Sequence, residues 1–104
     1  MDQEQRRLEF QALLEEILGS DQVYFQSPNN VAMQYPAILY VMDDADSKFA
    51  DNTPYSFTHR YQVTLIHSDP DTAIRTQIAM LPMCLFNRHY RAENLNHYVF
   101  HIFF

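Results

Sequence analysis

Apolar residues recur at Phe10, Leu13, Leu14, Ile17 and Leu18, the i, i+3, i+4, i+7, i+8 spacing of one helix face, while Gln, Glu and Arg take the other. The pattern predicts a helix over 2–18. Gly19, the only glycine, follows the last periodic position, where a left-handed residue ends a helix. QVYFQ (22–26) reads as a short strand and SPNN as a turn before an irregular stretch to Pro36. PAILYVM (36–42) is apolar at every position, which predicts a central strand packed on both faces. The polar, acidic run DDADSKFADNTPY then predicts a long loop over 43–56, or an extended hairpin arm.

Strand periodicity returns where Phe57, His59, Tyr61, Val63 and Leu65 alternate with Thr58, Arg60, Gln62 and Thr64. SDPDTAIRTQIAMLP predicts a second helix with Ser68 or Asp69 as N-cap, Pro70 in the first turn, Asp71 at the positive end, and Ile74, Ile78 and Leu81 facing inward. MCLFNRHY (83–90) is a strand, RAEN a hairpin turn, and NLNHYVFHIFF a strand running to Phe104. In that last strand Asn96, Tyr98, Phe100, Ile102 and Phe104 point one way and Leu95, His97, Val99, His101 and Phe103 the other, so both faces carry bulk. A chain end this apolar must be covered, by this chain or by a neighbouring copy, which points to assembly. The order αβββαββ predicts one α+β domain over 1–104, with a mixed or antiparallel sheet of about five strands and two helices on one face.

Composition narrows the function classes. With 104 residues, 47 % hydrophobic and 14 % aromatic, the chain has the makings of a sizeable core and none of the character of a disordered segment. Cys84 is the only cysteine, which excludes an internal disulfide and suits a reducing cytoplasm; the polar start MDQEQRRLEF predicts no signal peptide, and no apolar run approaches a membrane span. The net charge of −6 is uneven: residues 1–52 hold ten Asp/Glu against three Lys/Arg, and residues 53–104 hold three against four. Lacking the basic clusters that neutralise phosphates, the chain is not expected to bind DNA or RNA specifically. Its acidic and near-neutral halves suit contacts between different faces of copies in a ring.

Candidate chemistry is sparse. A single glycine excludes phosphate-cradling loops, dinucleotide fingerprints and nucleophile elbows together. His97 and His101 have the i, i+4 spacing that chelates a metal on a helix, but on a strand it spans about 13 Å, too far for one ion with ligands about 2 Å away. A cross-strand cluster of His59, His89 and His97 is geometrically conceivable, against the plainer reading of half-buried sheet histidines. Asp44, Asp46 and Asp51 lack the glycine and the bidentate Glu of a calcium loop, since Tyr55 stands at the twelfth position. Cys84 as a nucleophile would need a nearby histidine, and a lone strand cysteine is more often a small core residue. No catalytic, metal or cofactor residue is assigned, and catalysis is not expected.

The blocks VYFQSPNNVAMQYPAILY, DDADSKFADNTPYSFTHRYQVTLIHSDPDT and LPMCLFNRHYRAENLNHYVFHIFF, nearly the whole chain, resemble the small neck proteins of long-tailed bacteriophages of Gram-positive hosts, the tail terminator or head-tail joining group. That resemblance implies a non-enzymatic virion component, assembled in the host cytoplasm as a six-fold ring that stops tail-tube polymerisation. Its partners would be further copies, the tail tube protein and the head connector, with DNA passing through an acidic ring unbound. Phe49 and Tyr55 would anchor contacts inside a rim of Asp43, Asp44, Asp46 and Asp51, with Phe103 and Phe104 at the apolar end. Two other readings stand beside it: a head-side adaptor or stopper docking on the portal ring, and a small metal-dependent or ligand-binding domain.

Overall fold

The computed structural model describes residues 3–26, 33–50 and 53–104, with side chains described for 4–26, 33–43 and 59–104. Its elements are α1 (Gln3–Leu18), β1 (Val23–Phe25), β2 (Ala37–Ala50), β3 (Thr53–His67), α2 (Ala73–Ala79), β4 (Cys84–Ala92) and β5 (Leu95–Phe103). The expected αβββαββ order and α+β class hold. The five strands form one mixed sheet in the order β1-β2-β3-β5-β4, with β1 parallel to β2 and all other pairs antiparallel.

The helix-side face makes the core. Phe10, Leu14 and Leu18 of α1 are buried against Ile38, Tyr40, Tyr61, Val63, Leu65, Tyr98, Phe100 and Ile102 from the three inner strands, with Ile78 of α2 joining them. Aromatic rings form its centre: Phe10 stacks on Tyr61 (centroids 4.9 Å apart), lies 5.0 Å from Phe104, and meets the Tyr40 ring edge-on at 5.5 Å. Off-centre and edge-on contacts of this kind match the ring quadrupoles and add to the gain from burial. The Tyr40 hydroxyl is satisfied in the apolar layer by donating to Gln11 Oε1 at 2.7 Å. Burial pushes its ionisation above the ordinary tyrosine value, although Arg7 pulls the other way.

Local signals are met at several ends. Gly19 has φ +81° and its N–H donates to the Glu15 carbonyl at 2.8 Å, the left-handed stop expected of it. Glu93 and Asn94, between the paired residues Ala92 and Leu95, have φ +54° and +65°. Two central residues with positive φ make the tight β4–β5 turn whose twist suits a hairpin.

Three expectations need correction. The second helix does not start at Ser68 or Asp69: Asp69 accepts from the Asp71 N–H at 2.9 Å and closes a local turn instead. Thr72 is the N-cap, its hydroxyl accepting from the Ile74 N–H at 3.2 Å. Nor is β2 packed along the whole of both faces: on the side away from the helices Ala37 is fully buried and Leu39 half-buried, but Val41 is 36 % exposed. Lastly, 43–50 and 53–56 are not loop: β2 and β3 run on as paired strands, with Ala50 opposite Thr53. The acidic stretch is thus the extended hairpin arm, the other reading of that stretch.

Candidate functional site: an arm and an exposed edge

Register separates the candidate metal ligands. His97 lies opposite Ile66, seven residues along β3 from His59, which places the two about 23 Å apart. They also face opposite sides of the sheet. His89, opposite Tyr98, stacks on that ring at 4.6 Å and pairs with Asn96 Oδ1 at 3.1 Å. Burial, with help from Arg6, lowers the His59 pKa from its ordinary value and disfavours the charged ring. The half-buried Cys84 thiol is pushed up by burial, the wrong direction for a nucleophile. Among the described residues, no three His, Cys, Asp or Glu side chains gather as a metal site would require.

The residues expected at an interface fall into three groups. Asp44, Asp46, Phe49 and Tyr55 lie on the arm, where Phe49 is opposite Pro54 and Asp46 opposite Thr58; their side chains, and Asp51 altogether, lie outside the described residues. Asp43, at the arm's base, is engaged within the subunit, accepting from Arg60 Nε at 2.9 Å with His101 Nε2 at 3.7 Å. Phe104 packs on Phe10, and Phe103 and Phe104 both border an apolar cleft of about 310 Å³ between α1 and residues 81–83. The strand that carries them is not at an edge. β5 pairs with β3 on one side and β4 on the other, so this chain itself supplies the cover that the sequence demanded.

Beyond His59, whose carbonyl still accepts from the Phe104 N–H at 3.0 Å, β3 has no strand partner but β2 among the described residues, and the arm stands clear of the sheet as a two-stranded ribbon. Two-stranded ribbons are marginal alone in water. The arm accords with extents of 51 × 23 × 23 Å, more than twice as long as broad.

The second surface was missed by sequence reasoning. β4 is an edge strand, exposed at every position after Cys84, with Leu85, Phe86 and Tyr90 open to solvent. Beside it Met80 is 79 % and Met83 67 % exposed. An open groove of about 750 Å³ separates α1 from α2, and a cleft of about 350 Å³ lies between α2 and Phe86. The short α2 simply leaves this end of the sheet under-covered. The signal was present in MCLF, which loads both strand faces just as the last eleven residues do.

The two ends of the molecule differ in charge. Arg75, Arg88 and Arg91 surround the β4 end, whereas Glu4 and Glu9 line the outer face of α1, Glu16 borders its groove with α2, and Asp21 follows the helix. Among the described residues, no helix is long and apolar enough to cross a membrane. Compared with models of known protein families and with curated proteins, the chain matches none.

Proposed function

We propose that this chain is a non-enzymatic structural subunit of the neck of a long-tailed bacteriophage, one of six in a ring that caps the tail tube and joins it to the head connector. The observation that carries this reading is the β2–β3 arm: a ribbon projecting past the sheet gains its missing contacts from a neighbour. The acidic balance of the chain favours a ring through which DNA passes without adhering. The residue resemblance over nearly the whole chain supplies the identity of the neighbours.

The test is made in phage particles. Mass spectrometry of purified virions should find several copies of the chain per particle, and Phe49→Ala with Tyr55→Ala should leave the isolated subunit folded while tails fail to join heads. Disrupting the gene should give over-long tubes beside unjoined heads. Absence from virions overturns the proposal, and unjoined tails of normal length would place the chain on the head side, as an adaptor.

A further inference from the structure

We infer that the β4/α2 end of one subunit binds the α1/β1 end of the next copy through side chains, and that this head-to-tail contact is the joint that closes the ring. The inference rests on the ring reading above and gives it residues.

Sheet order puts the two surfaces on opposite flanks. β4 is one edge and β1 the other, and α1 lies on the β1 side, its Gln11 reaching the Val23 carbonyl and its Arg7 guanidinium 4.5 Å over the Phe25 ring. At the β4 flank, Met80, Met83, Leu85 and Phe86 are each more than half exposed. A cluster of large apolar groups rimmed by polar residues is the anatomy of a protein contact.

Charge selects the occupant. An isologous contact, in which β4 meets the β4 of a second copy in antiparallel fashion about its centre, sets Arg88 against its own counterpart, with His89 and Arg91 close by. Like charges in such a position are strongly unfavourable. The outer stripe of α1 is the opposite case: Leu8, 49 % exposed, lies between the exposed carboxylates of Glu4 and Glu9, whereas Glu16 turns toward the α2 groove beside Met80. Apolar centre meets apolar centre, and arginine meets carboxylate. A patch joined to a different patch on the next copy repeats until the rotation closes, which is how rings arise.

The contact is not strand addition. The register of β4 breaks between Phe86 and Arg88, and a bulge with flanking arginines is the usual device that stops an edge strand from pairing. Side chains therefore carry the joint, and it weakens as salt rises.

Paired charge reversal tests this. In low salt, sedimentation velocity across a range of concentrations should show wild-type protein associating. Arg88→Glu with Arg91→Glu, and separately Glu4→Arg with Glu9→Arg, should each weaken self-association by about tenfold or more. Mixing the two variants in equal amounts should restore association, because every joint in an alternating ring then pairs opposite charges, and only even-numbered oligomers form. Restoration also shows that both variants are folded. If the helix variant associates like wild type while the edge variant does not, the contact is β4 to β4 and the inference fails. It fails too if the mixture stays dissociated. Wild-type protein that remains monomeric throughout overturns the joint as a property of the free subunit, yet leaves the neck reading standing, since that reading depends on presence in the particle.

Discussion

β4 and β5 are partners in one hairpin, equal in length and both bearing apolar groups on both faces, yet they differ almost completely in burial. Along β5, Tyr98, Val99, Phe100 and Ile102 are at most 1 % exposed; along β4 only Cys84 is even half-buried. The pair Phe86 and Phe100 makes the contrast sharpest. They are cross-strand neighbours with ring centroids 5.5 Å apart, but Phe86 is 54 % exposed and Phe100 not at all. Side-chain chemistry does not distinguish them. Position in the sheet does, because β5 has β3 beyond it and β4 has solvent.

The largest effect should come from removing Ile102, Phe103 and Phe104. That truncation deletes the Phe104 ring tilted against Phe10, a buried isoleucine, and the bonds from the Phe103 N–H to Met83 and from the Phe104 N–H to His59. Burying one such side chain is worth about 1.5–3 kcal/mol, so the loss should approach the whole margin of about 5–15 kcal/mol that holds a small domain. Thermal melting should show this loss at every protein concentration. A truncated chain that melts normally but no longer assembles would return β5 to the interface and reverse the comparison.

Next in size is the matched pair. Phe100→Ala should cost about 3–5 kcal/mol in denaturant unfolding, as large core truncations do. Phe86→Ala should cost less than about 1 kcal/mol, since most of that ring is already in water, and should instead weaken association. Equal costs would mean that the two strands are equally part of the subunit core. The smallest effect belongs to the turn that joins them. Glu93 holds a positive φ that an unbranched glutamate tolerates poorly and asparagine adopts readily. Glu93→Asn should therefore stabilise the subunit by about 0.5–1 kcal/mol in the same unfolding measurement, and a neutral or destabilising result would mean the turn is already relaxed.

The same contrast marks what the sequence can disclose. Helix and strand types were legible because the periods of Phe10 to Leu18 and of Phe57 to Leu65 differ, and the RAEN hairpin because a turn separates two apolar runs. The place of β5 inside the sheet was not legible: a strand loaded on both faces must be covered, but composition does not say by whom. The arm was ambiguous for a related reason, since Asp43 to Ser47 have no apolar face, and their extended conformation depends on β3 lying opposite. At α2, Asp69 and Thr72 both carry capping side chains, and only the backbone path decides which one caps the helix. As for the site, its arm was visible as an interruption of pattern, whereas the β4 edge was hidden because its exposure depends on the short span of a helix elsewhere in the chain.

Sheet order also sets a timetable. β5 follows all the other described elements in chain order, and it is the piece that links β4 to β3. Until residues 95–103 have left the ribosome, the nascent chain holds a β1–β2–β3 fragment and a separate β4, with Tyr61, Val63 and Leu65 lacking their neighbours. The β4–β5 hairpin is local and closes within about 1–10 μs, whereas docking it onto β3 spans some thirty residues and is the slower event. The domain thus completes its core, and with it the two flanks of the sheet, only once β5 has been made and docked.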